Sequence, residues 1–492
     1  MARNKFISTI APLQYMPNFV MKNAMVAYIL ALLACNMLYA HYALPIQWWV
    51  FGIVEACGFF YLGHQLIKSW IQLGTKAFAK NLFIISFLLR LAWVIISYWL
   101  YQNWTGTPFS IGAADELFYD EVAHYAAELM RSGNWNIYSN IVTYSGAQFS
   151  DMGYPIYLSI VYYVFFDSIL VARIIKAALG AWTAVLIYKL ATRNFGEYTS
   201  RMAGIFCMLM PNLIYYCSFQ LKEVEMVFLA MLFAERADYL LRQGKLTILP
   251  MIALMLIPAY MFMIRTALAA TLVLAFFCAL ILSSERMVSW GRRLSLILIA
   301  VVFAMVLFFS STGIGQDITS MWETRGTGQQ ANMEWRSIRG TYEGTLNQSF
   351  AKYAGASVFA PMIFTLPFPT MNYIESQENQ MMIHGGNFVK NIMSFFTLGA
   401  LLLLLFSGNW RKHVLPIAIL CGYLVVLVFS NFAQSERFHQ PILPLHMMMA
   451  AYGISMLNQK KYFIKWFNIW CIMMFIAAMA WNWFKLAGRG LI

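Results

Sequence analysis

The chain has 492 residues, of which 61% are hydrophobic and 11% charged, with a mean hydropathy of +0.62. A soluble core of this length cannot bury so much apolar surface, so a soluble globular enzyme is excluded and an all-α polytopic membrane protein is expected. The formal net charge of +13 would suit a nucleic-acid binder in a soluble chain, but here the basic residues recur between apolar runs as cytoplasmic loops require, and no nucleic-acid partner is expected.

Arg3, Lys5 and Lys22 precede the first apolar run with no small-residue cleavage site behind it, which reads as an uncleaved cytoplasmic end. A span needs about 20 apolar residues. Runs at Ala24 to Ala43 and Ile46 to Gln65 form an opening hairpin, and Lys68, Lys76 and Lys80 mark a cytoplasmic loop before a third span, Asn81 to Tyr101. Residues 102 to 151 then lie outside. The next apolar run, Tyr154 to Phe166, is only 13 residues long and reads as a juxtamembrane helix, with Val171 to Thr192 as the fourth span. Arg201 to Phe219 rises and Lys222 to Leu241 descends. Leu246 to Met263 and Thr266 to Ser283 form a hairpin with Arg265 at its outer tip, and Leu294 to Ser311 returns outward.

Residues 312 to 390 are mostly polar and suit an outer loop or small cap. Their inner piece SVFAPMIFTLPFP carries three prolines and is expected at the interface. Four spans follow, near Asn391 to Ser407, Val414 to Asn431, Pro441 to Leu457 and Lys465 to Lys485. The total is about thirteen, with the N-terminus in and the C-terminus out. The expected units are 1–101 (hairpin and third span), 102–169 (outer catalytic loop), 170–311 (transmembrane core), 312–390 (outer loop or cap) and 391–492 (C-terminal helices). All seven cysteines lie within or at the ends of apolar runs without paired spacing, so neither a disulfide framework nor a zinc site is implied.

Six of the 21 acidic residues fall between Asp115 and Asp151, in a stretch whose surroundings are almost free of acid. As a helix, Gly112 to Gly133 places Phe118, Val122, Tyr125, Ala126 and Leu129 on one side and Glu116, Asp120, His124 and Glu128 on another, an amphipathic stretch that should lie along the interface. Asp115 and Glu116 at its amino end would favour the helix dipole. Capping asks for one good acceptor and this stretch supplies four acids, which favours a functional role.

With this topology, Asp115, Glu116, Asp151, Arg173, Lys176, Lys222, Glu223, Glu225, Arg265, Glu436, Arg437 and His439 fall near one depth on the outer side. Acids among scattered cations suit group transfer from a phosphorylated lipid: a carboxylate takes a proton from the acceptor, and Arg or Lys holds the departing phosphate. The bland alternative for each cation is snorkelling to headgroups. Glu55 and Arg90 fall near the middle of spans two and three and are expected to form a structural ion pair.

Ala114-Asp115-Glu116-Leu117-Phe118-Tyr119, followed by Ala126, Leu129 and Ser132-Gly133-Asn134-Trp135, resembles the DExxY start of the first outer loop in GT-C glycosyltransferases, notably protein O-mannosyltransferases and lipid A aminoarabinose transferases. The resemblance continues through Asp151-Met152-Gly153-Tyr154-Pro155, Arg173 and Phe195-Gly196, and resumes at Glu436-Arg437-Phe438-His439-Gln440-Pro441 with Pro444, similar to the ERYxxPxxP of bacterial members. It implies a GT-C-like bundle and an inverting transferase using a polyprenyl-phosphate-linked sugar at the outer face of a bacterial inner membrane, with a lipid, glycan or protein acceptor. By carry-over, Asp115 would be the base, Glu116 and Tyr119 would orient the acceptor, and Asp151 would belong to the catalytic group. Arg173, Lys176, Lys222, Arg265, Arg437 and His439 would bind donor phosphate. A divalent metal is neither required nor excluded, and no other cofactor is implied. Two departures stand out: Met152-Gly153-Tyr154 replaces the usual His or Lys before the proline, and an extra N-terminal hairpin precedes the acidic loop.

Two other readings remain open at this stage. A polysaccharide polymerase or ligase using a lipid-pyrophosphate glycan would place its chemistry among Arg325, Arg336, Arg339 and His384. A transporter or flippase would need ionisable residues along a midplane path or repeated halves, and only Glu55 and Arg90 offer the former.

Overall fold

Prolines and glycines punctuate the apolar runs, and the computed structural model shows what each break does. It describes residues 13–145, 151–242, 248–283, 291, 294–295, 298, 362–375, 377–430, 433–456, 461–487 and 490–492. The expected span Leu294 to Ser311 and most of the expected cap, with Arg325, Arg336 and Arg339, lie outside the described residues.

Among the described residues every regular element is helical, and the one β-bridge, Ala43 with Asn372, is isolated. The hairpin is α1 (Asn18–Leu38) and α2 (Ile46–Trp70), followed by α3 (Thr75–Thr105). The acidic stretch forms α4 (Ala114–Arg131), which packs against α5 (Ile137–Ser145) and α6 (Gly153–Phe165). Then come α7 (Ile169–Phe195), α8 (Glu197–Leu209), the short α9 (Pro211–Tyr215), α10 (Glu223–Arg242), α11 (Ile248–Ile264) and α12 (Thr266–Leu282). After the undescribed stretch follow α13 (Glu378–Met382), α14 (His384–Ser407), α15 (Val414–Phe429), the one-turn α16 (Glu436–His439), α17 (Leu443–Ser455) and α18 (Lys461–Ala487).

Six of these, α1, α2, α3, α7, α14 and α18, are long and apolar enough to cross a membrane, and α6, α11, α12 and α15 are shorter apolar helices. That makes the chain an all-α membrane protein by its described helices, without reaching the expected count of spans. In the interior α7 packs against α3, α8 and α10, while α17 packs against α8 and α14. On the outside of this group α1 packs on α18 and α12 on α15.

Three local features differ from expectation. The rising span Arg201 to Phe219 is broken: Met210 is extended and Pro211 starts a new short helix, as the residue before a proline avoids the helical region. Pro211 has no N–H for the Cys207 carbonyl one turn back. Arg90 supplies the donors instead, through Nη2 to Cys207 O (3.2 Å) and Nη1 to Met208 O (3.2 Å).

Second, the expected Glu55–Arg90 ion pair does not form. Glu55 accepts from the Gly386 N–H (3.0 Å) in the first turn of α14, where the helix dipole favours a carboxylate. Glycine is required there by close approach: a Cβ on Gly385 would lie 2.4 Å from the Gly52 carbonyl of α2. Third, the proline-containing segment turns inward: its described part, 362–369, and the residues after it to 372 are largely buried among α1, α14 and α18, whose polar side chains serve the carbonyls. Ser394 donates to Phe364 O (2.8 Å), Asn391 to Pro367 O (3.0 Å), Lys390 to Leu366 O, and Asn482 to Pro369 O (3.0 Å). Irregular backbone inside a membrane protein needs such partners, because neither lipid nor a regular ladder supplies them.

Candidate active site

The acidic helix α4 is amphipathic, but its buried side is rotated from the expected one. Tyr119, Val122, Ala123, Ala126, Ala127 and Met130 are buried together with Glu116, while Leu117 and Phe118 are exposed. Glu116 is drawn inward by its partners. It accepts from the Gln220 N–H (2.8 Å), the Ser110 N–H (3.3 Å) and the Ser110 hydroxyl. Arg173 Nη2 stands 3.7 Å away, an ion pair too long for a hydrogen bond. Burial pushes the Glu116 carboxyl above its ordinary value, with Arg173 first and then the Ser110 and Gln220 hydrogen bonds pulling it back.

Asp115, one residue earlier, has 58% of its side chain exposed and pairs with Arg437 Nη1 from α16. Arg437 Nε pairs in turn with the buried Glu223 at the start of α10. Beside them Asp151, 53% exposed, pairs with Lys222, whose ammonium also donates to Ile264 O (3.0 Å). Tyr119 lies beneath, its ring 5.8 Å from the Lys222 nitrogen and 5.2 Å from the Tyr154 ring. Arg265 covers the Phe438 ring at 4.1 Å. Six charged side chains from five segments, Asp115, Asp151, Lys222, Glu223, Arg265 and Arg437, thus form one mouth above Tyr119. Its charge is balanced, with three carboxylates against three cations.

The other expected phosphate ligands sit elsewhere. Arg173 and Lys176 are both 0% exposed. Lys176 donates to Glu225 (3.1 Å) and Leu221 O, with its nitrogen 4.7 Å over the Tyr154 ring. Both cations pair with buried carboxylates below the mouth and expose no surface to it. Glu116 is likewise buried, its carboxylate turned to Ser110, Gln220 and Arg173. His439 is also buried: Nε2 meets Ala433 O (2.8 Å) and Nδ1 meets Lys390 Nζ (2.8 Å), facing the interior and not the mouth. His384, which the ligase reading needs, is buried against Tyr28 OH (2.9 Å) and Met381 O (2.7 Å).

Ser110, Gln220 and Asp167 were not singled out by sequence. Gln220 ties Glu116 to α6 through Tyr162 OH (2.9 Å), which donates to Asp120. Asp167 holds the turn between α6 and α7, a non-glycine residue at φ +59, through Arg131 (2.7 Å) and His124 (3.3 Å). Ser110 and Gln220 flank the acidic stretch and Lys222 in sequence, but nothing in their spacing announces that they meet. Among the described residues no group of three or more His, Cys, Asp or Glu could hold a metal ion.

No protein-family model matches the chain, and no curated protein does. Among solved structures it is similar to the archaeal oligosaccharyltransferase AglB from Archaeoglobus fulgidus, determined in complex with an inhibitory peptide and a dolichol-phosphate. The TM-score is 0.41 at 13% identity, over 84% of this chain and 56% of that one, so the chain spans just over half the length of that protein. A likeness at this level carries no weight for function.

Proposed function

We propose that the protein is a membrane glycosyltransferase of the GT-C type that moves a sugar from a polyprenyl-phosphate-linked donor to a lipid, glycan or protein acceptor. The reaction takes place at the outer face of a bacterial inner membrane. The observation that carries this reading is the mouth itself: two exposed carboxylates, Asp115 and Asp151, each paired with a largely buried cation, Arg437 and Lys222. The DExxY-like and ERYxxPxxP-like motifs support it, since both contribute side chains to that one mouth.

In the reaction proposed, the acceptor hydroxyl gives its proton to Asp115 and its oxygen bonds to the anomeric carbon. The bond from that carbon to the phosphate oxygen breaks with inversion, and the lipid phosphate leaves with the electron pair. Lys222, Arg265 and Arg437 neutralise the departing charge, as preorganised cations in a partly dehydrated site do best. The charge balance adds a step. Donor phosphate competes with Asp115 for Arg437, so donor binding itself releases the carboxylate that serves as base.

The ligase reading gains nothing from His384, which is enclosed in the bundle. Asp115→Asn tests the proposal in membranes supplied with labelled polyprenyl-phosphate sugar. Turnover should fall by about a hundredfold or more, the usual loss for a general base. Donor affinity should stay equal or tighten, because Arg437 loses its competing partner. Full turnover in the variant would remove Asp115 from the base role.

A further inference from the structure

Arg90, freed from the expected pairing with Glu55, is a fully buried cation whose charge still needs an answer. Its two terminal nitrogens serve Ser86, Cys207 and Met208. Its Nε has no hydrogen-bond partner among the described residues, and the same holds for Glu223 Oε2 and Gln440 Oε1. Arg90, Glu223 and Gln440 line one small cavity between α3, α7, α10 and the turn after α16, together with Thr183 and Tyr216. The cavity offers about 10 Å³ to the centre of a water molecule, close to the minimum for holding one.

The remaining polar atoms of the three residues are already engaged. Glu223 Oε1 takes Arg437, and Gln440 Nε2 lies 3.5 Å from Glu436 O, which leaves Gln440 Oε1 as the amide atom without a hydrogen-bond partner among the described residues. One donor and two acceptors are left. A water molecule accepts one hydrogen bond and donates two, which matches this set. Chloride would face the Glu223 carboxylate, and a monovalent cation would face the Arg90 guanidinium, so each is disfavoured by charge.

We infer that one ordered water bridges Arg90, Glu223 and Gln440, and that through it Arg90 is a positioning residue for the mouth. This rests on the proposed function only for its kinetic consequence. Glu223 lies between two arginines: one oxygen holds Arg437, and the water fixes the other. The plane of the carboxylate is then set from inside the bundle, and with it the direction in which Arg437 reaches toward Asp115. Gly180 makes room for this arrangement, since a Cβ there would lie 2.7 Å from Arg90 Nε.

Arg90→Met would strip the Cys207 and Met208 carbonyls of their donors and is expected to fold poorly, so Gln440→Leu is the informative variant. It removes one acceptor, fills the cavity and leaves the contacts of Arg90 with α8 untouched. High-resolution cryo-electron microscopy of the full chain in nanodiscs should show a density peak at hydrogen-bond distance from all three atoms in the wild type. In Gln440→Leu the peak should be absent and Arg437 displaced. The ratio kcat/KM for donor should fall about tenfold, the loss of one charge-assisted hydrogen bond from Arg437 to the phosphate, with kcat sharing the fall because Arg437 also meets the departing charge. No peak in the wild type, Arg90 and Glu223 in direct contact, or an unmoved Arg437 in the variant would overturn the inference. The maps decide this even if the wild type transfers no sugar, in which case the transferase reading fails separately.

Discussion

Asp115 and Glu116 are neighbours on α4, yet one carboxylate faces solvent and the other sits among Ser110, Gln220 and Arg173. Their substitutions should therefore fail in different ways. Glu116→Gln leaves Arg173 buried without its counter-charge, a change that typically costs about 3–5 kcal/mol. It should appear as a lower unfolding temperature in detergent. Glu116→Leu combined with Arg173→Met should recover much of that loss, because replacing both charges removes the penalty of an unpaired one. A double variant no more stable than Glu116→Gln would argue against the pair as the cause.

His124 gives a pH dependence at the same scale. The hydrogen bond that His124 donates to Asp120 raises its imidazole above the ordinary value of 6.5, outweighing burial, with Asp167 adding to the effect. A raised folded-state value means that the contribution is fully present below 6.5 and is lost as pH rises through that raised value. The stability gap between wild type and His124→Gln should accordingly shrink as pH rises from 6.5 through that raised value. The ring is 36% exposed, so the gap is modest at any pH. A gap that widens with pH would contradict the assignment.

Among elements, the approach of α14 to α2 is the most constrained. Gly385→Ala should destabilise the chain strongly, because its methyl group would meet the Gly52 carbonyl and Glu55, while Gly58→Ala or Gly399→Ala meets nothing within 4 Å. Comparing folded yield and melting temperature for the three variants checks this directly.

The helices that sequence located best are those whose own pattern decides them. Examples are α4, with its acids and apolar residues, and α6, a short apolar run that begins at Gly153 and ends at Phe165. What sequence could not supply were partners chosen by remote backbone. Arg90 turns away from Glu55 because Pro211, more than a hundred residues later, strands a carbonyl. The segment at 362–372 goes inside because α1, α14 and α18 carry side-chain amides, a lysine and a serine that match its carbonyls. Periodicity likewise put Phe118 on the buried side of α4, whereas the pull of Ser110, Gln220 and Arg173 on Glu116 rotates the helix the other way.

At the scale of the whole molecule, α7 runs between two charged ends. Arg173 and Lys176 lie under the mouth, and Arg193 pairs with Glu235 (2.8 Å) and Asp238 (2.8 Å) at the far end. If the mouth faces outward as proposed, Glu121→Cys on α4 should react with a membrane-impermeant maleimide on intact cells. Lys76→Cys, at the start of α3, should react only after lysis. Labelling of both from one side would overturn the topology.

The central claim, that this mouth turns over a polyprenyl-phosphate sugar with Asp115 as base, is met most directly by mass spectrometry of co-purifying lipids. Wild-type protein and Asp115→Asn should be compared from the same cells. The account predicts that the variant retains a polyprenyl-phosphate monosaccharide which the wild type has consumed, and the spectrum would identify the sugar. A pyrophosphate-linked oligosaccharide on both proteins would contradict it and move the chemistry away from Asp115.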